Sequence, residues 1–190
     1  MFSSQHISPQ LVLGFLDLLA FSAQTGLQEK REIERKGAVF LLSKLLKNEQ
    51  TELLYDDYGK PFLKGGSAHI SLSHSHQWLL AAVHNTAEVG VDIEKVKDKI
   101  INIAPRFLSD AELPVARNNP EQLTLYWAAK EAVYKAYGKK QLEFKSAIFI
   151  HPFEMQAEGE LEATLRLKDQ ERLFRLYYKQ YHQYQLAVTL

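Results

Sequence analysis

The chain has 190 residues, 46% of them hydrophobic, and its 23 Lys and Arg side chains are balanced by 23 Asp and Glu. That composition supports one substantial core or two small ones, excludes a disordered chain, and lacks the basic surplus of a nucleic-acid coat. Cysteine is absent, which excludes disulfides, thiolate zinc sites and cysteine nucleophiles and fits a reducing cytosol.

The first ten residues carry no basic n-region, and no uncharged apolar run reaches about 18 residues, so neither secretion nor a membrane span is expected and the protein is read as soluble and cytoplasmic. Ser8 before Pro9 signals a helix start, and Leu11, Val12, Phe15, Leu16, Leu18 and Leu19 predict a first helix that ends at Gly26. A second helix, charged from Glu29 to Lys36 and apolar from Val39 to Leu46, is predicted to about Lys47. The turn Tyr58-Gly59-Lys60-Pro61 then leads into strands at Phe62-Leu63, Ala68 to Leu72, Trp78 to Val83 and Glu88 to Ile93.

Residues 95–102 are basic and weakly patterned. Two helix starts come next: the capping box Ser109-Asp110-Ala111-Glu112, and Asn119-Pro120-Glu121, which opens a helix to about Tyr137 with Gly138 as its stop. Phe144 to Ile150, Leu161 to Leu167, Leu173 to Tyr178 and Tyr184 to Thr189 are predicted strands. The order helices, strands, helices, strands predicts an α+β fold of two halves, residues 1–100 and 101–190.

Three stretches can carry chemistry. In Val89-Gly90-Val91-Asp92-Ile93-Glu94, strand alternation turns Gly90, Asp92 and Glu94 to one face, with the two carboxylates about 6–7 Å apart at their Cα atoms. Such a pair repels itself unless a cation intervenes, and its hard oxygens suit Mg²⁺; a solvated strand end is the plain alternative. On the helix Trp127 to Lys135, Trp127 and Glu131 share a face with Lys135 one turn on, which reads equally as a surface helix with an i,i+4 pair and a core-anchoring tryptophan. Ile70-Ser71-Leu72-Ser73-His74-Ser75-His76 offers a zinc site, a serine with a histidine base, a phosphate-binding loop, or simple turn capping. The phosphate loop fits better than the first two, because histidines are dispersed and no G-x-S-x-G is present.

Taken in order, Gly59-Lys60-Pro61, Ile70 to Ser75, Val89 to Glu94 and Trp127 to Lys135 resemble the motif succession of the 4′-phosphopantetheinyl transferases, in the surfactin-synthetase-type branch. The resemblance covers Gly59 to Lys135, and the chain is short for that branch, so trimmed peripheral loops are expected. It implies a monomer of two similar α+β halves, a pseudo-dimer in one chain, with the active site in the cleft between them. The implied enzyme is of the holo-[acyl-carrier-protein] synthase type. It moves the 4′-phosphopantetheine arm of coenzyme A onto a serine of an apo carrier protein and releases adenosine 3′,5′-bisphosphate.

By the same resemblance Asp92, Glu94 and Glu131 hold Mg²⁺, and Glu131 is also the candidate base, with Glu112 as an assisting acid whose capping box already accounts for it. Lys60, Ser73, His74, Lys130 and Lys135 fall on positions that contact coenzyme A. Lys30, Arg35 and Lys36 are candidates for its 3′-phosphate, although pairs such as Glu32 with Lys36 explain them as well. The ligand carries a charge of about −3.5 to −4, which one Mg²⁺ and several lysines offset. Neither nucleic acid nor membrane is expected as a partner. The alternatives are a non-catalytic carrier-protein or nucleotide-binding module of the same fold, and a Mg²⁺-dependent phosphohydrolase or nuclease, disfavoured by the neutral charge.

Overall fold

In the computed structural model, which describes residues 1–66, 68–116, 118–139 and 142–190, the chain divides into two units, Met1–Val89 and Gly90–Leu190. Both are mixed α/β, and every strand pairing among the described residues is antiparallel. No helix of the described residues is long and apolar enough to cross a membrane.

The N-terminal unit begins with a hairpin, β1 (Phe2–His6) and β2 (Leu11–Asp17). The segment 11–17, expected to be helical, is instead an inner strand, flanked by β1 and by β6 (Trp78–His84). A strand covered on both faces shows a nearly continuous apolar run, which its period cannot distinguish from a buried helix. Ser8 caps no helix; its Oγ accepts from the amides of Gln10 and Leu11 at 3.3 and 3.2 Å and closes the hairpin turn. The cap lies at Asp17, whose Oδ1 accepts from Leu19 and Ala20, so that α1 (Leu18–Thr25) starts later and ends, as expected, at left-handed Gly26.

Glu29 caps α2 (Lys30–Leu46), which presses Ala38, Leu41 and Leu42 onto β2 and β6. A short ribbon, β3 (Leu53–Tyr55) with β4 (Pro61–Leu63), precedes β5 (His69–Ser75), and the sheet order is β1-β2-β6-β5. The motif around Ser73 and His74 therefore lies within a strand rather than on a loop. Its alternation buries Ser71, Ser73 and Ser75 on one face and leaves His74 exposed on the other, and pairing with β6 turns alternate amides toward that strand, so successive amides do not converge as they do in a phosphate loop.

The C-terminal unit is built on a five-stranded sheet of order β7-β11-β10-β9-β8. Its first strand in sequence, β7 (Val91–Lys95), pairs with its last, β11 (Tyr184–Thr189). For that reason the division falls at Val89 and Gly90, and the strand of Asp92 and Glu94, expected in a half spanning residues 1–100, belongs to the second unit.

The weakly patterned stretch continues into α3 (Ile100–Phe107). Ser109 and Glu112 make their reciprocal bonds, but residues 110–116 form a series of turns and not a helix. Partners outside the capping box, Lys130 and the Ile150 amide, draw Glu112 into the interior. The helix α4 (Pro120–Tyr137) runs between the expected signals, with Asn119 Oδ1 accepting from Glu121 and Gln122 and Gly138 left-handed at its end. Phe144–Ala147, expected as strand, is a helical turn, α5, before β8 (Ile148–Ile150). The long hairpin β9 (Glu158–Leu167) and β10 (Gln170–Tyr181) completes the sheet. Ala128, Ala129, Ala132, Val133 and Ala136 of α4 pack with Ala187, Leu176 and Leu165 in one core.

Candidate active site on β7 and α4

Gly90 determines how α4 meets β7. A Cβ at this position would lie 1.8 Å from the carbonyl oxygen of Ala132 and 2.5 Å from the amide nitrogen of Ala136, so the helix backbone rests directly on the glycine. Its backbone is tied to β11 as well, the amide donating to Thr189 Oγ1 at 2.9 Å. Because Gly90, Asp92 and Glu94 share a face, the face that meets α4 is the face of the two carboxylates.

On that face Asp92 is buried, 3% exposed, and its Oδ1 accepts from Lys135 Nζ at 2.7 Å. The same ammonium donates to the carbonyl of Val91 at 3.1 Å. Lys135, expected to contact coenzyme A, here pairs with Asp92. Glu131, one turn earlier on α4, completes the group. Burial and the charge of Asp92 push its carboxyl up to about 7, with Lys135 opposing and Glu94 adding to the rise. Asp92, Glu94 and Glu131 are thus close enough to feel one another. Among the described residues, however, no three such side chains are gathered to metal-binding distance as they stand. Like charges separate, and Lys135 is the cation that the chain itself provides.

Two expected site residues are placed elsewhere. Lys130 is fully buried, and its three donors are spent on Glu112 Oε2 at 2.9 Å and on the carbonyls of Phe144 and Ile148. All three are thus engaged within the unit, and a contact to coenzyme A would have to displace one of them. The α5 turn is what brings these two carbonyls, four residues apart, to one ammonium. Glu112, 1% exposed, accepts from the Ser109 amide and hydroxyl, from Lys130 and from the Ile150 amide. Both its oxygens are committed to partners within the unit. Burial holds the Lys130 ammonium below the usual lysine range, against the pull of Glu112.

The other candidates lie in the N-terminal unit. Lys60 pairs with Glu88, which also meets His69 Nδ1 at 3.1 Å. Burial works against the Glu88 charge, but Lys60 and His69 outweigh it and hold the carboxyl below its ordinary range. His74 Nδ1 lies 3.5 Å from Glu34 Oε1, and Lys30 Nζ lies 3.7 Å from the same oxygen, so these two expected phosphate contacts gather on one acid. Ser73 is buried on the opposite face of β5 from His74. Arg35 is exposed, and Lys36 makes the 2.8 Å pair with Glu32 that its spacing allows.

Sequence reasoning passes over two residues that adjoin the carboxylates, Gly90 against α4 and Gln185 across from Glu94. In the sequence Gly90 shows only as a member of the strand face, and Gln185 belongs to no motif. The signal for Gln185 is one amide within β11, all six of whose residues are buried.

The model of the 4′-phosphopantetheinyl transferase superfamily matches residues 88–189, a stretch that begins at the unit boundary and contains β7, α4 and β11. A 4′-phosphopantetheinyl transferase of Bacillus subtilis is 38% identical over 89 residues, covering 44% of this chain and 39% of that protein. The 4′-phosphopantetheinyl transferase Sfp of Bacillus subtilis (strain 168) is 36% identical over 89 residues, with 44% and 39% covered. The 4′-phosphopantetheinyl transferase psf-1 of Bacillus pumilus is 36% identical over 119 residues, with 60% and 48% covered. The match thus spans less than half the length of each of these relatives. By the family match over residues 88–189 and these relatives, this chain belongs to the 4′-phosphopantetheinyl transferase superfamily, in its surfactin-synthetase-type branch.

Proposed function

We propose that the chain transfers the 4′-phosphopantetheine arm of coenzyme A to a serine hydroxyl of an apo acyl or peptidyl carrier protein, with Mg²⁺ held by Asp92, Glu94 and Glu131. The observation that carries this reading is the convergence of β7 and α4, which sets three carboxylates of one unit within each other's field around a single lysine. The donor set suits a hard cation: only carboxylate oxygens, with Glu131 pushed up to about 7 first by burial and then by the charges of Asp92 and Glu94. When bound, such an ion offsets the charge of a pyrophosphate and polarises its phosphoryl oxygens.

The residues of the chain then have distinct tasks. Glu131, poised near neutrality, accepts the proton of the carrier serine as its oxygen bonds to the phosphorus bearing the pantetheine. The bond from that phosphorus to the bridging oxygen breaks, and adenosine 3′,5′-bisphosphate leaves with the electron pair. Lys135, about a quarter exposed, is available to a phosphate oxygen once Asp92 is engaged elsewhere. In the N-terminal unit, Lys60, His74, Lys30, Ser73 and Arg35 remain the candidates for coenzyme A. For Lys60 and His74 a phosphate has to displace Glu88 and Glu34. A cytoplasmic setting belongs to the same proposal.

The deciding experiment incubates the full chain with coenzyme A, Mg²⁺ and an apo carrier protein and weighs the carrier by mass spectrometry. A mass gain of one phosphopantetheine supports transfer; an unmodified carrier across several carrier types overturns it. Asp92→Asn should abolish the gain and the Mg²⁺ dependence together, because two carboxylates compensate the pyrophosphate poorly. Wild-type transfer by this variant at limiting Mg²⁺ would show that the metal is held elsewhere.

The carrier is assigned to the surface that comes after β7. Lys95, Lys97, Lys99 and Arg106 crowd this stretch with Asp98 as the only acid between residues 95 and 106. Arg106 also borders a pocket of about 340 Å³ lined by Ile103, Phe107, Trp127 and Phe144, an apolar seat beside a basic rim. An acidic carrier matches that rim, and rim charge acts chiefly on encounter rate. Reversing Lys95, Lys97 and Lys99 to glutamate should therefore slow association at low salt, flatten its salt dependence and leave coenzyme A affinity unchanged. Equal association rates for variant and wild type at every salt concentration would move docking to another surface.

A further inference from the structure

Gln185 stands on β11 directly across from Glu94 of β7. Directly paired residues of antiparallel strands project to the same face, with Cβ atoms about 4.5–5.5 Å apart. Gln185 therefore shares the α4-facing side with Asp92 and Glu94, and Ala187, two residues along, packs into the core built on α4. Its side chain is 0% exposed, yet neither its Nε2 nor its Oε1 has a hydrogen-bond partner. An amide brings two donors and an acceptor oxygen, and burying them unpaired is costly where a methionine or leucine of similar size is not. A polar group held this way, beside a cluster of carboxylates, points to a partner that it meets in another state of the molecule.

We infer that Gln185 is a positioning residue of the β7–α4 site, donating from Nε2 to the carboxylate of Glu94 when that carboxylate turns onto a divalent cation. This rests on the proposed Mg²⁺ site and adds β11 to it. The amide suits the task because it donates without charge. It steadies a carboxylate without competing as a cation in the way Lys135 competes at Asp92, and it adds nothing to the repulsion among Asp92, Glu94 and Glu131. Groups that orient ligands from behind commonly account for about 10–100-fold in metal affinity.

The test compares the full chain with Gln185→Met, Gln185→Leu and Asp92→Asn, without coenzyme A or carrier. It reads the melting temperature in chelator and the Mg²⁺ concentration at which that temperature rises. Both Gln185 variants should melt at or about 2–4 °C above wild type in chelator, since an unpaired buried amide has gone. Both should need about tenfold or more Mg²⁺ for the same rise. A fall in melting temperature in chelator would make Gln185 a structural residue and overturn the inference, as would an unchanged Mg²⁺ requirement. Asp92→Asn separates the two levels: loss of the Mg²⁺ response there, with a normal response in both Gln185 variants, overturns Gln185 alone. A normal response in Asp92→Asn overturns the metal site itself.

Discussion

Replacing Lys130 by methionine will destabilise the protein by about 3–5 kcal/mol, because it strands Glu112 as a buried, uncompensated charge. For a chain of this size that corresponds to a fall in melting temperature of about 6–20 °C. Glu112 would keep its bonds to the Ser109 amide and hydroxyl and to the Ile150 amide, but three neutral donors do not replace an ammonium. The carbonyls of Phe144 and Ile148 would lose their donor at the same time, loosening the turn between α4 and β8. Combining Lys130→Met with Glu112→Gln should cost clearly less than the sum of the single changes, since the partners are coupled. Coenzyme A affinity of the folded fraction should be unchanged, because the three donors of Lys130 are engaged within the unit. A Lys130→Met protein that melts like wild type but has lost coenzyme A would return this lysine to the ligand, against its burial and its three bonds.

Gly90→Ala should be nearly as damaging, at about 3 kcal/mol or more, and by a different route. The added methyl would fall 1.8 Å from the Ala132 carbonyl oxygen and 2.9 Å from its carbonyl carbon, atoms of the helix backbone that no rotamer change can move aside. Relief requires α4 to lift from β7. The carboxylates of Asp92 and Glu131 ride on these two elements, so lifting one from the other also separates them. The variant should consequently lose Mg²⁺-dependent stabilisation in whatever fraction still folds. Denaturant unfolding with and without Mg²⁺ measures both effects. If Gly90→Ala unfolds at the wild-type midpoint, the helix does not rest on this residue.

Local signals are legible where local physics decides them. Gly26, Asn119, Pro120 and Gly138 mark helix ends because a cap or a left-handed stop involves only a few neighbouring residues. Asp92 and Glu94 share a face because strand alternation is a local property, and Glu131 and Lys135 are neighbours because the helical repeat makes them so. The motifs that carry the family resemblance are of this local kind, and so is the Glu32 to Lys36 pair. Ser109 and Glu112 also find each other, through a capping pattern that needs no tertiary partner, although no helix grows from it.

Local patterns were thus enough for the shared face of Asp92 and Glu94, the helix ends around them and the family resemblance. Only tertiary structure, through long-range pairing, decided that Leu11–Asp17 is a strand: β1 and β6 take up its backbone groups on both edges, and burial of residues on both of its faces erases the alternation that would have announced it. It decided that β7 belongs to the second unit, since its partner β11 lies some ninety residues on. It paired Lys130 with Glu112, and it set Gln185 beside Glu94 and Gly90 against α4. Each of these is a pairing between residues far apart in the chain, chosen by burial and by the need to satisfy buried charge. No local period encodes such a choice, because its energy exists only once the distant partner has arrived.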